Sequence, residues 1–339
     1  MTGARSGAVT DIELTLAMAY YEHVADLTSG RVRVPGVALR WLELPVEEIF
    51  HRFIEFREWQ VSEMSMGKYV SVIAAGDDSM VGLPVFPSRV FRHSGIYVRT
   101  GDVTEPAQLR GKRIGVPEWA QTAAVYSRAL LAHEWAVPLT EVDWYQAGVN
   151  QAGRVEHVQL HLPPRIRLTR VPDRTLNEML LDGSLDAVLS AHPPSSFIDG
   201  DPRVSRLLAD PAKVEEEYAA KTGIVPIMHV VVVRRDVVDQ YPWLPANLMT
   251  GFAEARARSI ARLAAGPAGP GSRVPLLWPD EALARTRAAF GGEPWPYGVD
   301  ANRTTLDAFT RWAFEQGVTR RRVAVDELFP AAVRSSYRI

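Results

Sequence analysis

The chain of 339 residues contains no cysteine. That absence removes disulfides, thiolate metal sites and thiol nucleophiles together, and it suits a reducing compartment. An excess of one charge is also missing, with 38 Lys plus Arg against 40 Asp plus Glu and a formal net charge of −2. Neither nucleic acid nor an acidic membrane surface therefore has an electrostatic claim as partner. No stretch approaches the roughly 20 apolar residues of a membrane span. The first eleven residues are polar and Gly-rich, and the apolar run at 12–18 is interrupted by Glu13. A secretory signal needs a basic start, a longer apolar run and a small-residue cleavage site, so a cytoplasmic location is expected. GxGxxG, P-loop, HExxH and GxSxG elements are absent. Dinucleotide, nucleotide-phosphate, zincin and hydrolase-elbow chemistry lose support accordingly.

What remains is the balance of a folded protein, 47% hydrophobic and 23% charged, with length for two domains. Residues 12–18 and 37–44 read as strands. Ile49, Phe50, Phe53 and Phe56 fall on one face of a helix over 46–59. Short strands at 60–64 and 81–85 flank a helix at 67–75. A second unit starts near Thr100, with strands at 111–117, 142–146, 166–170 and 185–190. Its helices begin at Gln121 or Thr122 and at Thr175. The run MHVVVVR at 228–234 is among the strongest strands, followed by a helix over 243–265 and, by composition, a loop over 266–275. Two more helices follow before Pro330. Such alternation predicts open, largely parallel α/β sheets covered by helices.

The strands at 94–99 and 228–234 are the candidate crossings between domains. The expected partition is 1–97 with 233–339 as one lobe and 98–232 as the other. A cleft between lobes is where small-molecule sites preferentially occur.

Five segments in order resemble the 4,5-dihydroxyphthalate decarboxylase family. They are SEMSMGKY at 62–69, LPVFPSRVFRH at 83–93, GKRIGVPE at 111–118, LNEML at 176–180 with Gly183 and Asp186, and PYG at 296–298 with Asn302. The most specific of them is 84–93. The resemblance implies a two-lobed fold of the type II periplasmic-binding-protein kind, with open mixed sheets flanked by helices and a cleft between the lobes. It also implies loss of one ring carboxylate from 4,5-dihydroxyphthalate to give 3,4-dihydroxybenzoate. At His192, in AHPP at 191–194, the family pattern favours Arg, and a titratable group in place of a permanent cation leaves room for a less charged or differently shaped substrate.

Within this frame the residues acquire candidate roles. Arg89, Arg92 and His93 follow a strand end, and guanidinium forks match carboxylates. In an extended chain Arg89 and His93 share a face and Arg92 points the other way. Either arginine could clamp the retained carboxylate. His93 is the candidate proton donor, with His192 and His229 as alternatives. Glu63 and Tyr297 are candidates for the ring hydroxyls. Ser65 either caps its helix or turns free amides toward an anion. Gln121 and Thr122 open the matching helix of the second lobe, where Trp119 either stacks on a ring or joins the core. His157 and His161 read as surface residues on a strand, so no metal pair is expected. Arg320, Arg321 and Arg322 read as a solvated helix end or as partners of Asp326 and Glu327.

In 4,5-dihydroxyphthalate each carboxyl-bearing carbon lies para to a hydroxyl, so the ring supplies its own electron push and the reaction requires no cofactor. The expected partner is a small anionic aromatic acid, and the oligomeric state stays open, a homo-oligomer included. Two rival readings are a solute-binding protein without catalysis and an enzyme of the same fold acting on another substrate.

Overall fold

The computed structural model describes residues 11–265 and 275–334. The polar start at 1–10 and nearly all of the loop read at 266–275 lie outside them. Two mixed sheets organise the chain. The first contains β1 (Ile12–Ala17), β2 (Val37–Leu42), β3 (Val61–Ser65), β4 (Met80–Leu83) and β11 (His229–Arg234), in the order β2-β1-β3-β11-β4. The second contains β5 (Ile96–Arg99), β6 (Arg113–Val116), β7 (Asp143–Gly148), β8 (Arg167–Thr175), β9 (Ala187–Leu189) and β10 (Val204–Arg206), in the order β10-β5-β9-β6-β7-β8. The chain thus passes from one sheet to the other between Leu83 and Ile96, and it returns between Arg206 and His229.

The sheets are less parallel than the alternation suggests. The returning strand β11 inserts between β3 and β4 and runs antiparallel to both. In the second sheet β5 is antiparallel to β9 and β10. Central strands are buried on both faces and read as continuous apolar runs, as HVVVVR does in β11.

The helix Val46–Phe56 follows Pro45 and carries Glu47 and Glu48 in its first turn, where acidic side chains suit the helix dipole. Its apolar stripe of Ile49, Phe50 and Phe53 is buried, and each such side chain contributes up to about 1.5–3 kcal/mol. Phe56, expected on that stripe, is exposed (68%); it is the last helical residue before Arg57, which adopts φ 50°. The helix Leu176–Leu181 starts with a capping box, Thr175 accepting from the Glu178 N–H and Glu178 from the Thr175 N–H. Residues 157–161 form an irregular segment rather than a strand.

The C-terminal helix Arg303–Glu315 packs against helices of both lobes, Met66–Ala75 and Thr122–Ala129. Just beyond it, Gln316 accepts the Trp119 indole N–H on its carbonyl (2.7 Å) and the Arg128 Nε–H on its side chain (2.8 Å). Its own amide donates to the Val125 carbonyl (3.0 Å). Of the three arginines at 320–322, Arg321 pairs with Glu327, Arg322 pairs with Asp307, and Arg320 donates to the Ala74 and Ala75 carbonyls. No described helix is long and apolar enough to cross a membrane.

Candidate active site between the lobes

Two strand-to-helix turns meet at the lobe interface. β3 ends at Ser65, where Met66–Ala75 begins, and a turn after β6 leads into Thr122–Ala129. Neither Ser65 nor Gln121, the residues before the helices, caps its own helix through a side chain. Ser65 Oγ instead lies 2.9 Å from Thr122 Oγ1, which also accepts the Gly67 N–H at 2.9 Å. The approach is close enough that a Cβ on Gly67 would stand 2.5 Å from the Ala120 carbonyl oxygen. Glycine is required there by contact with the other lobe. The positive ends of two helices are thereby turned toward one cavity, a setting that favours an anion. That cavity holds about 290 Å³ and is lined from both lobes.

On the first-lobe wall stands His229, at the start of β11. Its Nδ1 lies 2.5 Å from Oε1 of Glu63, a fully buried residue directly behind it on β3. The same oxygen accepts the Tyr21 hydroxyl at 2.5 Å, and Oε2 accepts the Ala19 N–H at 3.0 Å. Burial and the neighbouring carboxylate push the Tyr21 hydroxyl above its ordinary range, so it stays protonated and donates. A carboxylate only accepts, so this network places a hydrogen on His229 Nδ1 and leaves Nε2 for the cavity. The edge-on Phe50 ring, 4.9 Å away between centroids, supports the imidazole.

The cavity carries three basic side chains, Lys68, Arg92 and Arg154, against the carboxylates Glu47 and Glu118. Glu118 is taken up by Arg154 (2.5 Å) and Lys68 (3.8 Å). Arg92 is not matched in this way. Its Nε and Nη2 donate to the Met228 sulphur at 3.2 and 2.8 Å, and among the described residues no carboxylate forms an ion pair with it. Burial lowers its pKa to about 10, so it remains charged at neutral pH. A half-buried guanidinium bonded to a thioether is poised for a better acceptor. Gln121, also on the wall, has a buried Oε1 with no partner.

At the cleft's mouth His192 Nε2 lies 3.0 Å from Glu47 Oε1, joining the lobes. This hydrogen bond raises the His192 pKa and lowers that of Glu47 to about 2. Beside it the cavity continues into a second space of about 420 Å³ under residues 148–154, which shares Gln121, Arg154 and His192.

Of the candidate residues from sequence, Ser65, Arg92, Gln121, Thr122, His192 and His229 therefore line one cavity, with Glu63 behind its wall. The structure corrects the other four, none of which lines that cavity. Arg89 is buried and donates to the Val225 and Pro296 carbonyls and to Asn302, with its pKa lowered to about 9 by desolvation. His93 is 1% exposed, set among Phe91, Trp135 and Tyr218, and neither ring nitrogen has a partner. Burial lowers its pKa to about 4, so it is neutral and unsuited to donate a proton at neutral pH. Trp119 belongs to the core, bound to Gln316 and stacked beneath Arg128 at 3.8 Å. Tyr297 is buried against Arg256 in the first lobe's core.

The sequence reading missed Lys68, Arg154 and Glu47. Lys68 was open to detection, since it lies in the first turn of the helix that Ser65 precedes, at the strand-to-helix turn already singled out. Arg154 and Glu47 carried no local signal. A larger, shallower depression of about 800 Å³ lies along Arg303–Glu315, but its charges neutralise one another through the Arg303–Asp326 and Arg322–Asp307 pairs.

No family model matches the chain. A 4,5-dihydroxyphthalate decarboxylase of Comamonas testosteroni is 34% identical over 333 residues, covering 98% of this chain and 100% of the relative. A second protein of that name, from Pseudomonas putida, is 37% identical over 209 residues, covering 61% of this chain and 81% of the relative. Among solved structures, a putative sulfonate-binding protein of Methylobacillus flagellatus is similar at TM-score 0.55 and 14% identity, over 94% of this chain and 92% of that one. The periplasmic aliphatic sulphonate-binding protein of Escherichia coli is similar at TM-score 0.53 and 13% identity, over 96% and 94%. The fold is thus that of periplasmic binding proteins, two lobes about a cleft.

Proposed function

This chain belongs to the 4,5-dihydroxyphthalate decarboxylase family, and on that premise we propose that its cleft decarboxylates an aromatic dicarboxylate, with 4,5-dihydroxyphthalate as substrate. The observation that carries this reading is the Glu63–His229 pair facing a cavity that also contains an Arg92 lacking a carboxylate. Arg92 forks onto the carboxylate that is retained. The two helix starts at Ser65 and Thr122 share the remaining negative charge.

The ring carbon bearing the other carboxylate faces His229. The protonated imidazole gives its Nε2 proton to that carbon while the para hydroxyl oxygen feeds electron density into the ring. The carbon–carboxylate bond then breaks, its electron pair restores aromaticity, and carbon dioxide leaves. One proton is taken up for each carbon dioxide released, and His229 regains its own from solvent. Glu63 stabilises the imidazolium and holds its orientation, without touching substrate. His192 and Glu47 close the mouth over the ring. The chemistry draws on the substrate's own hydroxyls as electron source, so these side chains suffice for it. The same reading carries the expectation of a cytoplasmic location.

Purified, metal-stripped protein incubated with 4,5-dihydroxyphthalate and related aromatic acids, with carbon dioxide and the decarboxylated product measured, tests this directly. Turnover of 4,5-dihydroxyphthalate above the other acids supports the proposal. Tight binding without turnover across the panel would favour a solute-binding role, as in the similar sulfonate-binding proteins.

A further inference from the structure

We propose that His51, Glu55 and His157 form a binding site for a zinc-class divalent metal ion that fastens the two lobes together at the edge of the cleft. One ligand atom from each of these residues lies within 4.8 Å of the other two. A tetrahedral metal with bonds of about 2.0–2.1 Å holds its ligand atoms roughly 3.3 Å apart, so small side-chain rotations bring the three into its coordination sphere. Two imidazoles with one carboxylate suit zinc, nickel or copper rather than the oxygen-seeking calcium or magnesium. All three side chains are exposed, which leaves a fourth position for water.

The parts are held in place for other reasons. His51 and Glu55 are four residues apart on Val46–Phe56, on the face opposite the buried Ile49, Phe50 and Phe53. His157 arrives from the second lobe, on the segment after β7. Its neighbours anchor it, because Glu156 accepts the Ala120 N–H (3.0 Å) and Val158 packs against the core. The His51 and His157 rings already stand 5.6 Å apart between centroids. The helix is also a cleft wall. One turn before His51 it presents Glu47 to His192, and its next-door residue Phe50 supports His229. A metal bridging to His157 would therefore hold this wall against the second lobe.

Calorimetric titration of metal-stripped protein with zinc chloride alone provides the test. One saturable site per chain is expected. His51→Ala and His157→Ala should each bind zinc about a hundredfold more weakly, as loss of a ligand exceeds the effect of an outer-shell change. Both side chains are exposed, so these variants should keep the fold. His161→Ala, altered on the same segment outside the cluster, should bind as the unaltered protein does. Cobalt taken up at the same site should show the visible spectrum of four-coordinate nitrogen and oxygen ligation. The proposal is overturned if the unaltered protein shows no saturable zinc uptake, or if uptake survives both His51→Ala and His157→Ala.

Discussion

Replacing Glu63 by Gln changes one charge and almost no volume at the most buried part of the proposed machinery. The carboxylate accepts three hydrogen bonds, two on Oε1 from Tyr21 and His229 and one on Oε2 from Ala19. An amide keeps only one acceptor oxygen. If that oxygen takes the Oε1 place, the amide N–H groups confront the Ala19 N–H. If it takes the other, the N–H groups face Tyr21 and His229, and a protonated imidazole loses its partner.

Either arrangement strands a buried donor at roughly 1–3 kcal/mol of stability. The larger effect falls on catalysis. A positioned proton donor contributes about 10²- to 10⁴-fold, and kcat should fall by that range once the imidazolium is unsupported. The barrier rises by roughly 2.7–5.5 kcal/mol in that case, at about 1.36 kcal/mol per decade. KM should stay within about threefold, because Glu63 does not reach the substrate. Tyr21→Phe is the control, since it removes one donor and leaves the carboxylate beside His229. It should cost less than about tenfold. Steady-state carbon dioxide release on folded protein decides the matter. A Glu63→Gln variant with kcat within about threefold of the unaltered protein would refute the assignment.

Arg92→Lys should raise KM by roughly tenfold or more with kcat little changed, because a point charge replaces a two-bond fork. Unchanged affinity for the substrate removes Arg92 from the clamp. His93→Leu should retain activity within about threefold, as a neutral, unpartnered core histidine takes no part in proton transfer; a hundredfold loss in a folded variant would restore it as the acid. The Glu47–His192 bond should make stability depend on pH in a defined direction. The histidine's share is complete below its unfolded value of 6.5 and is lost as pH rises through its raised folded value, while the Glu47 share is present above 4.5 and is lost as pH falls through about 2. Both side chains are largely exposed, so the bond contributes at most about 1 kcal/mol. The Tm gap between unaltered protein and Glu47→Gln should peak between pH 4.5 and 6.5 and close well above it, whereas a gap constant with pH contradicts the linkage.

Much of the scaffold was readable because its cues are local. Apolar alternation located β1, β3 and β11 to within a residue or two at their ends, and the turns before Met66–Ala75 and Thr122–Ala129 were recognisable as places for a ligand. The segment around Arg89 shows the limit of such reading. Extended geometry would put Arg89 and His93 on one side and Arg92 on the other, but the segment is irregular and His93 opens a 3-10 turn. Arg89 and His93 are instead buried in separate surroundings, Arg89 with Asn302 and His93 with Trp135 and Tyr218. His93 and His229 look alike as strand-adjacent histidines, yet only His229 meets a carboxylate, 166 positions away in the chain. Glu47 with His192, 145 positions apart, is equally invisible without the fold. Within one segment His157 had no metal partner, and the partner it gains comes from the other lobe.

Gln316 alters what the cleft can do as a moving part. Two crossings alone would let the lobes turn like covers about a spine. The C-terminal helix makes a third connection, and swinging the lobes apart would require detaching Gln316 from Trp119, Val125 and Arg128 at about 1 kcal/mol for each bond, before any buried surface is counted. Traffic through such a frame is set at its doorway. On the proposed function, the movement that admits an acid is the smaller one of parting Glu47 from His192, the contact that joins the lobes at the mouth.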